Sequence, residues 1–112
     1  MAGEIVDLVV FSELRHNDIV EWDTGRSKYR FTLTDASLRK GVLIGGKVHH
    51  EREAVFSGSL VEDKSLWDNG IKIGARATFF LVVSHDNSRF SQVVTSPLIS
   101  LRLQRNGAPA SW

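Results

Sequence analysis

The sequence predicts an all-β domain, either a small antiparallel barrel or a compact β-sandwich of about 7–8 short strands. Short runs rich in Val, Ile, Phe and Thr recur along the chain, and turns rich in Gly, Asp, Asn and Ser separate them. Several runs alternate apolar and polar residues with the period of two that a half-buried strand requires. The 112 residues, of which 42% are hydrophobic, can fill one core. We therefore expect a single all-β domain over residues 1–104 and a flexible C-terminal tail over residues 105–112.

The first predicted strand covers residues 5–11, a Val-rich run, and the polar stretch after it has room for one helical turn only. The clearest hairpin signal follows, with arms at 18–22 and 28–34 around a turn at Gly25. The second arm alternates apolar and polar residues, so one of its faces belongs to the core and the other to solvent. The core face consists of Tyr29, Phe31 and Leu33.

Two further strands are predicted at 41–48 and 54–61. The adjacent Gly45 and Gly46 indicate a bulge or a sharp bend in the first of them. In the second, alternation places Ala54, Phe56, Gly58 and Leu60 inwards, and Ser57 and Ser59 outwards. Residues 62–69 are interpreted as a loop or a single helical turn anchored by Trp67.

The C-terminal third predicts a long strand at 75–83, a polar turn at 85–88 and a returning strand pair. The returning strands are placed at 90–95 and 99–103, and Pro97 interrupts the strand pairing before the second of them. In the last strand, Ile99, Leu101 and Leu103 are expected to share one face.

Composition narrows the classes of function. The chain has no cysteine, which excludes disulfides and thiolate metal sites. Fourteen Lys and Arg against thirteen Asp and Glu give a formal charge of +1, without the excess typical of a dedicated nucleic-acid binder. No stretch approaches the roughly 20 apolar residues of a membrane helix, and the acidic N-terminus makes a poor signal peptide. We expect a cytoplasmic protein with no membrane partner.

Five short motifs occur in order between residues 18 and 103: Tyr29-Arg-Phe-Thr-Leu-Thr, Gly41-Val-Leu-Ile-Gly-Gly, Ala54-x-Phe-x-Gly-Ser, Ile73-Gly-Ala-Arg and Val94-Thr-Ser-Pro-Leu. Their order resembles that in a group of small bacterial all-β proteins of unassigned function. The resemblance implies a bacterial single-domain β protein and brings no catalytic residues with it.

The segment Arg26-Ser-Lys-Tyr-Arg30 is similar to the Arg-x-x-x-Arg element of PilZ domains, which are β-barrels that bind cyclic di-GMP. In that family the two arginines hold guanine and phosphate, so the resemblance implies a nucleotide site at these positions. Asp35-Ala-Ser37 begins the family's second element, Asp/Asn-x-Ser-x-x-Gly, but Gly41 comes one residue too late and the spacing between the elements is shorter than in the family. The alternative is that both arginines are solvated charges of a hairpin.

The remaining chemical motifs are weak. His49, His50, Glu51 and Glu53 are four potential metal ligands, but they fall where a polar turn is expected, and adjacent histidines without a fixed third ligand are typical of a surface. None of the serines lies in Gly-x-Ser-x-Gly, and no helix follows the glycine-rich segments to form a phosphate loop. We predict no catalytic residues, no metal and no cofactor. A site assembled in space from scattered Asp, Glu and His is the alternative.

A basic row is the candidate site for a nucleotide or nucleic acid. It consists of Arg26, Lys28 and Arg30, with Arg39, Lys40 and Lys47 as further cations. In an alternating strand these cations lie opposite Tyr29 and Phe31, so cations and aromatic rings do not form one stacking surface. A solvated edge strand kept soluble by its charges is the competing interpretation.

The other candidate site lies on the strand at 75–83. If Phe79 and Leu81 point to the core, Phe80 and Val82 point away from it and must be covered by another strand layer or a second subunit. Self-association through an apolar face or an edge strand follows. The sequence thus predicts a non-enzymatic binding or assembly module that forms a homo-oligomer or binds another protein. The alternative is a nucleotide-binding or nucleic-acid-binding barrel that uses the basic hairpin.

Overall fold

The computed structural model describes residues 4–46, 48–61, 66–82 and 90–105. Lys47, Trp112, the turn predicted at 85–88 and almost all of the predicted tail lie outside the described residues. Strands account for most of the described chain. They are β1 (Glu4–Ile5), β2 (Leu8–Val10), β3 (Ile19–Asp23), β4 (Lys28–Asp35), β5 (Lys40–Gly45), β6 (Val48–Leu60), β7 (Leu66–Trp67), β8 (Gly70–Lys72), β9 (Arg76–Val82), β10 (Phe90–Pro97) and β11 (Ser100–Gln104), with one 3-10 turn at Phe11–Glu13.

Nine of these strands form one antiparallel sheet in the order β1-β11-β3-β4-β5-β6-β9-β10, with β7 paired to β6. β2 and β8 form a second, two-stranded sheet. Among the described residues no ladder joins β1 to β10, so the large sheet is not closed into a barrel. The all-β prediction is confirmed, and of its two architectures the structure has the sandwich-like one. Seven of the described strands have five or more residues, in line with the predicted number.

The core lies between the large sheet and the small one, and aromatic rings run through it. Phe11, in the 3-10 turn, stacks on Phe56 with ring centroids 4.0 Å apart. Phe79 lies 5.0 Å from Phe31 and 5.7 Å from Trp22, again measured between ring centroids. Rings at these separations attract one another beyond the gain from burying their area. This cluster joins β3, β4, β6 and β9 to the 3-10 turn.

The predicted hairpin is present as β3 and β4. Its core face is Tyr29, Phe31 and Leu33, all of them buried as predicted. In the turn, Gly25 has a φ of 85°, a conformation that a side chain disfavours, and its N–H donates to Asp23 Oδ1 at 2.7 Å. The residues of the turn and the alternation along β4 therefore both favour this hairpin.

A bulge in β6 reverses part of the predicted pattern. The register between β6 and β9 shifts between Phe56 and Gly58, so β6 contains one extra residue there. Beyond the bulge the faces exchange: Ser59 is 1% exposed and Leu60 is half-buried, the opposite of the prediction. The buried Ser59 hydroxyl donates to the carbonyl of Gly70 at 2.7 Å, which satisfies it.

Other predictions near the chain ends are corrected. The strand predicted at 5–11 is divided, because β1 pairs with β11 whereas β2 pairs with β8. Ile99 is 64% exposed, because it precedes the paired part of β11 and its N–H is held by the carbonyl of Asp23 at 2.8 Å. Leu101 and Leu103 are buried as expected.

The last described strand lies next to the first one. β11 lies between β1 and β3 and pairs with both, so it does not pair with β10 as a returning strand pair would. Within the part of the chain that the structure describes, no helix is long and apolar enough to cross a membrane.

Candidate interaction surfaces

The predicted basic row lies on the outer face of the β3–β4 hairpin. Lys28 and Arg30 are exposed on β4, and Arg26 is exposed in the turn before it. The turn is fixed by Thr24, whose Oγ1 accepts the N–H of Ser27 at 3.2 Å. The structure therefore places all three cations on one hairpin, with Lys28 and Arg30 on the side away from the aromatic residues of β4 and Arg26 in the adjoining turn.

The two cations of β4 each face a carboxylate on the neighbouring strand. The register sets Arg30 opposite Glu21 and Lys28 opposite Asp23. Glu21 is opposite Arg102 on its other side. Directly opposed residues of an antiparallel pair lie on the same face at about 5 Å, where unlike charges attract. The outer face of the hairpin is therefore a surface of mixed charge.

A groove of about 280 Å³ crosses this mixed-charge surface. Its lining residues are Ile5, Glu21, Trp22, Asp23, Lys28, Tyr29, Ser100, Leu101 and Arg102. Two acidic and two basic side chains line it, and their formal charges cancel. Recognition of a polyanion depends on an excess of positive charge, which this lining does not supply.

Two of the further predicted cations have partners of their own. The Arg39 guanidinium lies 6.0 Å from the ring centroid of Phe11 and 5.9 Å from that of Phe56, and it donates to the carbonyl of Asp68. Lys40 Nζ lies 3.2 Å from Glu53 Oε1. Both side chains are thus engaged away from the hairpin row.

The segment with possible metal ligands runs along the first half of β6, where His49, His50 and Glu51 are exposed. Within the described ranges, no group of three or more His, Cys, Asp or Glu is arranged to hold a metal ion.

A buried carboxylate, which the sequence interpretation missed, connects the end of β11 to the loop before β3. Asp18 is 1% exposed, and its Oδ2 accepts the N–H of Arg15 at 2.9 Å and lies 3.5 Å from Arg105 Nη1. Arg105 also donates to the carbonyl of Glu13 at 3.1 Å. An Asp just before a strand reads as a turn residue in the sequence, so nothing there indicates this distant partner. The contacts fix the loop and give Asp18 a structural role.

The other predicted site lies on the outer face of β9. Phe79 and Leu81 are buried, whereas Phe80 and Val82 are half-buried on the opposite face, as the alternation predicts. Val55 of β6 is in register with Phe80 and therefore lies beside it on the outer face.

We call Val42, Val55, Phe80 and Val82 the outer apolar patch. All four side chains are half-buried. Polar residues lie among and beside these apolar side chains: Lys40 is in register with Val55, Gln92 with Phe80, and the exposed Glu53 with Val42. The continuous apolar part of the patch is therefore the pair Val55 and Phe80.

β10 forms one end of the large sheet and adds a feature that the sequence interpretation did not single out. It pairs with β9 in uninterrupted register from Phe90 to Val94, and the register then shifts before Pro97. Among the described strands, none pairs with the other edge of β10. A signal was available in the sequence, since residues 90–101 contain no Asp, Glu, Lys, Arg or His. Edge strands are commonly protected by such charges.

Comparison of the chain with protein-family models, with curated proteins and with solved structures finds no match. The resemblances to small bacterial β proteins and to PilZ domains therefore stay predictions.

Proposed function

We propose that this protein is a non-enzymatic binding and assembly module that associates with a second copy of itself. The observation that carries the proposal is the outer apolar patch, where Val55 and Phe80 lie side by side on the solvent side of the sheet that covers the core. Apolar surface gains about 25 cal/mol for each Å² that a partner removes from water. A second copy seated on this face would provide that burial.

Charge favours a second copy as the occupant. Beside Val55, Lys40 and Glu53 form an ion pair whose charges cancel, and beside Phe80, Gln92 carries no charge. The whole chain has a formal charge of only +1. Two copies can therefore bring the same face together without a large cost from like charges. In this proposal the module acts in the bacterial cytoplasm, since a chain without cysteine needs no oxidising compartment.

Size exclusion with light scattering, at low and at high salt and with the 260 nm absorbance recorded, tests the proposal. We expect the same oligomer at both salt concentrations and no co-purifying nucleotide, because salt screens exposed charges but not apolar contacts. A monomer at every protein concentration contradicts the proposal. A monomer with 260 nm absorbance that high salt removes would support the nucleotide hypothesis at Arg26, Lys28 and Arg30 instead.

Val55→Lys places a charge in the centre of the patch and should abolish the association made through it, so that the oligomer becomes smaller. The matched control is Leu38→Lys, at a residue that is 59% exposed in the turn between β4 and β5. Circular dichroism melting of each variant shows whether it is folded. An oligomer of unchanged size in folded Val55→Lys would exclude the patch as a contact.

A further inference from the structure

We propose that two copies join through the edge of β10 that faces away from β9, by antiparallel strand addition that continues the large sheet across a two-fold axis. This inference rests on the proposed self-association and names a second contact for it, in addition to the outer apolar patch. Strand addition uses the backbone N–H and C=O groups that an edge strand leaves unpaired.

The two ends of the large sheet differ in what they offer. β10 has five residues in uninterrupted register, Phe90–Val94, whereas β1 has two residues, one of which is the charged Glu4. No strand residue of β10 is charged. An edge without charged residues offers no electrostatic barrier to another neutral strand, and the identical strand of a second copy meets that condition.

Sheet geometry restricts the register of the pairing. Opposed residues of an antiparallel ladder lie on the same face of the sheet. A two-fold axis perpendicular to the sheet places the outer faces of both copies on the same side of the joined sheet. Position 92 can therefore face position 92 or 94 of the copy, but not 93. The register that uses all of Phe90–Val94 is centred on Gln92, which then faces Gln92 of the second copy.

The irregular end of β10 sets the limit of this contact. After Val94 the register with β9 shifts, and Thr95 Oγ1 accepts the N–H of Ala77 at 3.1 Å in place of a regular ladder partner. Pro97 then has no N–H to donate. The regular ladder with β9 thus ends just beyond Val94.

The edge contact and the outer apolar patch are separate surfaces, because strand pairing through β10 leaves the patch uncovered. Val55, Phe80 and Gln92 form one row across β6, β9 and β10 on the outer face. With the axis at Gln92, this row continues into the same row of the second copy. The two outer apolar patches then lie on the same face of one continuous sheet, on either side of the axis.

Charge-swap variants at Gln92 test the inference, because Gln92 is exposed and its replacement leaves the core intact. Gln92→Lys alone sets like charges opposite each other and should weaken association by up to about fivefold, as should Gln92→Glu alone. An equimolar mixture of the two variants should recover the wild-type affinity as a heterodimer. Ser100→Lys and Ser100→Glu, at an exposed strand position on β11, are the controls and should leave association unchanged.

Hydrogen exchange gives a second readout, since amides of β10 should exchange more slowly as the concentration of wild-type protein rises. One outcome would overturn the β10 contact but not the assembly function. In it the wild type is oligomeric, Gln92→Lys leaves the oligomer unchanged and Val55→Lys dissociates it. If both Gln92 variants dissociate but their mixture does not recover, the proposed register is wrong. If the wild type is a monomer, the contact and the function both fail.

Discussion

Thr78, on the face of β9 opposite the core residues Ala77 and Phe79, carries a buried hydroxyl group. It is 1% exposed, and its hydroxyl is one of two buried side-chain groups of the described residues that have no hydrogen-bond partner. Removing water from an unpaired hydroxyl costs free energy. Thr78→Val keeps the branched shape and should raise the free energy of unfolding by about 1 kcal/mol, measured by urea denaturation. Thr78→Ser keeps the hydroxyl and loses the methyl group, so it should lower the free energy of unfolding. If Thr78→Val is less stable than the wild type, the Thr78 hydroxyl has a hydrogen-bond partner and the prediction is wrong.

Asp35 fixes the turn between β4 and β5. Its Oδ1 accepts the Ser37 hydroxyl at 2.7 Å and the N–H groups of Ser37 and Leu38 at 3.1 and 3.3 Å. The Ser37 hydroxyl, with smaller effects from the backbone bonds and the charge of Lys40, lowers the pKa of Asp35 below its ordinary value.

The lowered pKa of Asp35 sets a pH dependence. A depressed folded-state pKa stabilises the fold above the unfolded pKa near ~4, and the stabilisation is lost as the pH falls through the folded value. Ser37→Ala should therefore raise the pKa of Asp35 towards the unfolded value, as measured by NMR titration of the carboxyl carbon. Ser12→Ala, in a different turn, is the control. An unchanged pKa in Ser37→Ala would contradict the assignment.

Among the elements, the β4–β5 turn docks on the core through Arg39. The Arg39 guanidinium covers the stacked rings of Phe11 and Phe56, and its backbone has a φ of 53°, which non-glycine residues disfavour. Arg39→Ala should lower the free energy of unfolding by about 1–2 kcal/mol, since it removes the cation–π contact and keeps the backbone strain. Arg39→Gly also loses the contact but relieves the strain. Arg39→Gly should therefore be about 1 kcal/mol more stable than Arg39→Ala. Equal stabilities of the two variants would show that the positive φ at position 39 causes no backbone strain.

The strands show which features of the fold the sequence could predict and which it could not. Alternation in β4 and β9 identified the buried faces correctly, because local periodicity alone decides which side of a strand is apolar. The bulge before Gly58 inserts one residue, and every later residue of β6 changes face, so Ser59 rather than Leu60 is buried. The alternation of residues along β6 gives no information about how many residues of β9 lie opposite it. The reversal could therefore not be predicted from the sequence of β6.

Prediction of the candidate sites met a similar limit. The row at Arg26, Lys28 and Arg30 was found as a pattern within one short segment, whereas the acids that face Lys28 and Arg30 belong to β3. Val55 beside Phe80 likewise depends on the pairing of β6 with β9. Cross-strand neighbours follow from register, and register over long sequence distances is not written in either strand alone.

For the whole molecule, the strand order limits how far the proposed assembly can grow. The large sheet ends at the two-residue β1 on one side and at β10 on the other. Of the two end strands among the described residues, β10 is the longer, so a pair joined through β10 would present only the two-residue β1 at each outer end of the sheet. Association through β10 alone therefore stops at a two-fold dimer and does not grow into a fibre.

The position of β11 between β1 and β3 also affects how the molecule is made. β1 leaves the ribosome before its ladder partner, residues 100–104, which follows about a hundred residues later. Until β11 emerges, β1 has no partner among the described strands, and β3 lacks its neighbour on that side. The large sheet is completed only after β11 has been synthesised and has inserted between these two strands.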